Sequence, residues 1–126
     1  MLRSSNIVSF VATKKPELAR KFYDEIIGLK LVYEDPFAIV FDANGIMLRV
    51  SKGSNSKPVG HTVLGWDVKN IRAEVKTLLK RGVSFERFPG LEQDGLGVWS
   101  APSGAKVAWF KDPDGNLLSL TQFPKP

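Results

Sequence analysis

Chemistry in this chain would have to come from very few side chains. Cysteine is absent and His61 is the only histidine. Thiol catalysis and disulfides are therefore excluded, and one imidazole is left to bind a ligand or shuttle a proton near neutral pH. A lone histidine at the end of a polar stretch is also simply a solvent-facing residue. Glu92 and Asp94, in GLEQDG, come nearest to a carboxylate pair, with a solvated loop as the plainer reading. Arg49, in IMLRVS, shares its alternation with Met47 and Ser51 against Ile46, Leu48 and Val50. If the apolar set faces a helix, the guanidinium points the other way. There it wants an anion, from a ligand or from a protein carboxylate such as Asp67 or Glu86. Ser119 stands in the apolar run LLSLTQ. Strand alternation puts Leu117, Ser119 and Thr121 on one face and Leu118 and Leu120 on the other. Trp66, Trp99 and Trp109, with Phe10, Tyr33 and Phe37, are material for an aromatic cavity. Trp66 alternates with Leu64 and Val68 and belongs to a core, whereas Trp99 lies among glycines in a loop, as an aromatic lid would. The facing of Trp109 depends on the register of its strand. There is no phosphate-cradling glycine loop and no nucleophile elbow.

The elements that must position these residues come in two similar sets. PELARKFYDEII (16–27) places Leu18, Phe22 and Ile26 on one stripe, widened by Ala19, Tyr23 and Ile27. Pro16 suits its first turn and Gly28 its stop. NIRAEVKTLLKR (70–81) repeats the plan with Ile71, Val75, Leu78 and Leu79, Asn70 as N-cap and Gly82 as stop. A strand precedes each helix, over 6–12 and 61–68. Strands follow over 29–34, 37–42 and 46–51 in the first set, and over 83–88, 105–111 and 117–122 in the second. The hairpin DANG (42–45) matches DPDG (112–115). Gly28 and Gly82 are 54 residues apart and Gly45 and Gly115 are 70 apart, so the second set carries an insertion of 16 residues, within 89–104. The pattern is βαβββ twice, in a single domain of 126 residues. Module one spans 1–51, a polar linker 52–60, and module two 61–126. Two such units can close their sheets around a shared cleft, where small ligands bind.

With that repeat, ARKFYDEIIGLKL (19–31), WDVKNIRAEVKTLLKRGV (66–83) and WFKDPDGNLLSL (109–120) resemble the glyoxalase, bleomycin-resistance and dioxygenase superfamily, also called vicinal oxygen chelate proteins. The resemblance covers nearly the whole chain. It implies an α+β fold of two tandem βαβββ modules forming a half-open barrel around a central cleft. Enzymes of the superfamily typically hold one divalent metal there, with ligands from the first strand of each module and a glutamate or histidine on the last. The resemblance puts the last-strand ligand at Ser119, the fifth-strand ligand at Val63, and Arg49 at the fourth-strand place. The first strand, 6–12, holds no His, Asp or Glu, Asn6 being at best a weak donor. A hydroxyl is a poor ligand and a permanent cation repels a metal.

The expectation is therefore a small-molecule-binding protein with no metal and no other cofactor, similar in general plan to antibiotic-sequestering members. Its cleft would be lined by Met47, Arg49, His61, Val63, Trp99, Ser119 and Thr121 and would take an organic anion. A lyase, isomerase or dioxygenase-type enzyme with a rearranged site, using His61, Asp67 and Glu86, is one alternative. A structural or regulatory dimer is another. A homodimer is expected in any case, because half-open sheets leave edges and apolar faces that pairing covers. The net charge of +5 comes from 18 scattered Lys and Arg residues, a solvated surface rather than a nucleic-acid footprint. No apolar run is long enough to span a membrane. MLRSSNIVSF lacks the apolar segment of a secretory signal, so the expected location is cytoplasmic.

Overall fold

A computed structural model describes residues 1–53, 55 and 57–125. Positions 54 and 56, in the expected linker, and position 126, at the end of the expected second module, lie outside the described residues. The chain divides into two compact units, Met1–Pro58 and Val59–Pro126.

In the first unit a 3-10 turn, Leu2–Ser4, precedes β1 (Val8–Ala12), α1 (Pro16–Lys21), β2 (Lys30–Glu34), β3 (Ala38–Ala43) and β4 (Ile46–Ser51). The sheet order is β1-β4-β3-β2, with β1 parallel to β4 and the other pairs antiparallel. Val11, Ile39, Phe41, Leu48 and Val50 form the buried face. Against it packs Tyr23, whose ring centroid lies 5.9 Å from that of Phe41. The expected helix over 16–27 is α-helical only to Lys21 and continues as a π turn, Phe22–Ile26. There the Ile27 N–H donates to the Phe22 carbonyl at 2.9 Å. The buried face is centred on Ala19, Phe22 and Tyr23, while Leu18, in the first turn of α1 and expected on the stripe, is 55% exposed. The β3–β4 hairpin closes on Asn44 and Gly45, both left-handed at φ 53° and 90°. This mirror-image turn matches the strand twist, and Asp42 Oδ1 accepts the Gly45 N–H at 2.7 Å.

The second unit contains β5 (Leu64–Asp67), α2 (Ile71–Lys80), β6 (Trp99–Ser100), β7 (Lys106–Lys111) and β8 (Leu117–Gln122), in the order β5-β8-β7-β6. Again the first strand is parallel to the last. Asn70 caps α2, its Oδ1 accepting the Ala73 N–H at 3.1 Å. Ile71, Val75 and Leu78 are buried, whereas Leu79, expected on the same stripe, is exposed. The helix side of this sheet is Ala108, Phe110, Leu118 and Leu120, all buried. Trp66 stacks on Phe110 at 6.3 Å.

One expected strand is not formed. Over 83–88 only Phe85 bridges β7, opposite Phe110, and the sheet edge is completed by Trp99–Ser100 from the insertion. The reason is Gln93. Its Oε1 accepts the Phe88 N–H at 2.8 Å, and its Nε2 donates to the Glu86 and Gly97 carbonyls, each at 2.9 Å. One side-chain amide thus satisfies the backbone groups a ladder would have used, and the chain turns away. Both units are α+β, each an open four-stranded sheet with a helix between its first and second strands.

Candidate functional site

Each sheet has a face turned away from its helix, and strand register decides what stands on it. On the first sheet Arg49 is central, opposite Phe10 on β1 and Val40 on β3. Tyr33 also pairs with Val40, after a bulge in β2. Its hydroxyl accepts from Arg49 Nη1 at 3.2 Å. Arg49 is half-buried, while Phe10, Tyr33 and Met47 are exposed. Within its own unit and among the described residues, Arg49 makes no ion pair. Asp35 feels it only weakly. The Asp35 carboxyl is held below the usual carboxylate range chiefly by the Phe37 and Ala38 N–H groups, with burial opposing and the charges of Arg49 and Lys52 adding last. Near the hairpin a shallow hollow of about 300 Å³ is lined by Val32, Val40, Asp42 and Met47. Phe37 lies just before β3 and is exposed, so it builds no cavity.

On the second sheet one row is Gly65, Ser119 and Trp109. The next is Asp67, Thr121, Val107 and Trp99. Leu117 and Ser119 share the face expected for them but are both buried, at 8% exposure. Val63 immediately precedes β5 and is exposed, its N–H donating to the Leu117 carbonyl at 3.0 Å. Trp109 is flanked by Phe88 at 5.3 Å and Trp99 at 6.1 Å, forming a three-ring panel. Trp99 is thus a strand residue leaning on Trp109, not a lid on a loop. The sequence offered no signal for this, because the glycines around Trp99 read as a loop.

The remaining candidates are dispersed. His61 is exposed in the bend before β5. Glu86, considered as a partner for Arg49, pairs instead with Lys111 at 3.5 Å. Asp67 sits on the outer strand β5, while Glu86 lies beyond β7, its N–H donating to the Trp109 carbonyl. Three strand spacings, about 14 Å, separate them. Glu92, Asp94 and Trp99 line a groove of about 600 Å³ with Gln93 and Val98. Asp94 is an anchor there rather than half of a catalytic pair. It accepts from Leu96 and Val98 N–H at 2.9 and 3.0 Å and pairs with Arg72 on α2. Burial opposes its ionisation, but those N–H groups and the guanidinium outweigh burial and hold its carboxyl below the ordinary range.

A pH dependence follows from the Asp94 anchor. A depressed folded-state pKa contributes stability above the unfolded pKa, lost as pH falls through the folded value. Urea midpoints taken from about pH 5 down to pH 2.5 should fall less steeply for Asp94→Asn than for the parent. Parallel slopes would mean the anchor does not hold in solution.

Among the described residues no group of three or more His, Cys, Asp or Glu side chains is placed to hold a metal. Where the superfamily resemblance puts ligands, the donor set is a serine hydroxyl, a valine and an arginine. These residues do not fit a divalent metal.

Two open sheets, each with its first strand parallel to its last and a helix between the first strand and the other three, define a paired βαβββ protein. The chain belongs to the glyoxalase/bleomycin resistance protein/dioxygenase superfamily, whose sequence pattern it matches over residues 6–120. Solved structures with the same fold include a glyoxalase/bleomycin resistance protein/dioxygenase from Alicyclobacillus acidocaldarius, 18% identical with a TM-score of 0.70, covering 97% of this chain and 93% of that one. A lactoylglutathione lyase from Agrobacterium tumefaciens is 19% identical with a TM-score of 0.70, covering 94% and 93%. TnmS3, an antibiotic binding protein from Streptomyces sp. CB03234, is 22% identical with a TM-score of 0.70, covering 96% and 98%. No curated protein matches the sequence. No helix among the described residues is long and apolar enough to cross a membrane.

Proposed function

We propose that this protein binds a planar organic anion, without a metal, rather than transforming it. The observation that carries the reading is Arg49. It is a permanent cation, half-buried on the open face of the first sheet, with no carboxylate paired to it among the described residues of its unit. Phe10 and Met47 offer apolar and aromatic surface beside it, and Tyr33 fixes the guanidinium. A carboxylate on a flat body matches that arrangement, charge to fork and ring to ring. The fold carries binding roles, as in the antibiotic binding TnmS3. The separation of Asp67 from Glu86 argues against a rearranged metal enzyme. A cytoplasmic location is part of the proposal and suits a cysteine-free chain.

The test uses 2-naphthoate as ligand. At a hundred times its Kd, a ligand that binds only the native state adds about 2.7 kcal/mol. A rise in melting temperature that saturates with concentration is expected. Metal analysis of protein purified without chelator should find no stoichiometric divalent ion, and chelator should leave the melting temperature unmoved. A transition metal near one per chain, removable with loss of stability, would overturn the metal-free reading.

A homodimer is also proposed. Ile7, immediately before β1, and Val8, on that outer strand of the first sheet, are exposed and apolar, a surface that pairing covers. Light scattering at micromolar concentration should give twice the 14.0 kDa chain mass. The monomer mass at every concentration would refute it.

A further inference from the structure

The basic residues are scattered along the sequence, but α2 gathers several of them on its outward side. Arg72, Lys76 and Lys80 recur every four residues and form one row along the helix, about 12 Å long at roughly 1.5 Å per residue. Lys69 stands just ahead of the Asn70 cap. All four are exposed, while Ile71, Val75 and Leu78 carry the apolar side of the helix into the core. Asp94 engages Arg72. Among the described residues Lys69, Lys76 and Lys80 make no ion pair.

A helix face that only has to meet water is built differently, and the first unit shows how. Over 16–26, Glu17 stands four residues before Lys21, Lys21 four before Glu25, and Arg20 four before Asp24. That alternation of sign supports a solvated helix. α2 has one carboxylate, Glu74, which is neither three nor four residues from any of the four cations. Its row instead sets Arg72 beside Lys76 and Lys76 beside Lys80, like-charge pairs that work against the helix. Lys80 suits the C-terminal end of the helix dipole, but Lys69 and Arg72 stand at the end that disfavours cations. The charge is therefore not placed for the stability of the helix itself.

The row is convex, and neither the hollow on the first sheet nor the groove at Trp99 includes a residue of α2. A small ligand has nothing to enter there. Protein interfaces are depleted in lysine and enriched in aromatics and arginine, whereas this helix has no aromatic residue and its one arginine is engaged. Nucleic-acid recognition likewise draws on free arginine forks and aromatic platforms. A flat anionic surface needs no pocket and attracts each compact ammonium separately. Leu79, 42% exposed next to Lys80, adds apolar contact at a headgroup boundary. We infer that the outward side of α2 is an adsorption surface for an anionic lipid bilayer, with Lys69, Lys76 and Lys80 meeting the headgroups. The apolar side of α2 stays in the core, so the protein adsorbs through charge and inserts no helix. The anionic leaflet of a cell membrane faces the cytoplasm, which agrees with the proposed location. The surface lies on the second unit and does not involve Arg49.

Cosedimentation with vesicles tests this. At low salt the parent should bind vesicles of equal parts phosphatidylserine and phosphatidylcholine and should not bind phosphatidylcholine alone. High salt should release it, because exposed charges are screened within about 3 Å at 1 M. Lys69→Gln, Lys76→Gln and Lys80→Gln should each weaken binding about fivefold, and the three together about a hundredfold. A control with the same loss of charge replaces Lys21, Lys57 and Lys125, exposed cations elsewhere, with glutamine and should keep most of the parent's affinity. Removing like-charge pairs should leave the melting temperature unchanged or slightly raised, so lost binding is not lost folding. The proposal is overturned if the parent ignores the anionic vesicles, binds both kinds alike, or loses as much affinity in the control as in the α2 variant. It is also overturned if, at matched anionic charge and salt, duplex DNA or polyglutamate binds the parent more tightly than the vesicles do and the α2 variant loses that binding.

Discussion

Phe110→Ala should remove about 3–5 kcal/mol of stability, the usual range for an aromatic truncated in a packed core. Phe110 is fully buried at 0% exposure. Its ring stacks on Trp66 at 6.3 Å and leans on Phe85 at 5.5 Å. Its backbone pairs with Leu118 on one side and bridges Phe85 on the other. The deletion thus empties the place where β5, β7, β8 and the 83–88 segment meet on the helix side. Leu118 and Leu120 lie in paired strands and cannot slide in to fill it, so little of the cavity collapses. For a domain with roughly 5–15 kcal/mol in total, such a loss leaves little margin. Urea unfolding of parent and variant measures it. A change below about 1 kcal/mol would mean that the core is not organised around this ring.

Arg49→Met should weaken 2-naphthoate about tenfold to a hundredfold, the equivalent of 1.5–3 kcal/mol for a charge-assisted contact. Methionine keeps the length and apolar stem of arginine and removes only the fork. Tyr33 loses a partner, but its side of the sheet is exposed, so water replaces that hydrogen bond and the fold should hold. Arg49→Lys separates charge from geometry. It should recover part of the affinity, since lysine keeps the charge but not the bidentate fork. If Arg49→Met instead lowers stability without ligand and leaves naphthoate affinity unchanged, the arginine is structural and the proposed anion site is wrong. Isothermal titration of the three proteins decides between these outcomes.

Much of the scaffold could be read before any coordinates. Asn70 and Gly82 bracket α2, and the Asn-Gly hairpin dictates its own turn, because in both cases one residue type fills a backbone requirement. Alternation fixed which face Leu118 and Leu120 occupy, since the period-2 pattern leaves no other choice once the core is known. Leu18 was misplaced because it sits in the first turn of α1, beside the face that Ala19 and Tyr23 bury, and apolar spacing alone does not say where a helix's buried face is centred. The strand over 83–88 failed for a different reason. VSFERF has the right alternation, but Gln93, five residues past Phe88 in the insertion, competes for its backbone, and alternation within the segment does not announce a side-chain rival outside it. On the site faces, the direction of Arg49 and Ser119 was legible. Tyr33 was named only as aromatic-cavity material and not as a neighbour of Arg49, and Gly65 was not singled out. Tyr33 meets Arg49 only through a bulge. Gly65 did carry a signal, since a glycine inside a strand marks a close approach, and here the approach is the Ser119 hydroxyl.

The arrangement around Ser119 and Arg49 also bears on how this lineage can change. Suppose a mutation placed a glutamate at 119. The carboxylate would land at a position 8% exposed, between Gly65 and Trp109, neither of which is a cation. An unpaired buried charge costs several kcal/mol. Replacing Arg49 alone would give up its hydrogen bond to Tyr33 and still create no metal site. A metal site on this scaffold would therefore need several substitutions in place together, because a single new carboxylate at 119 would be buried without a cation beside it.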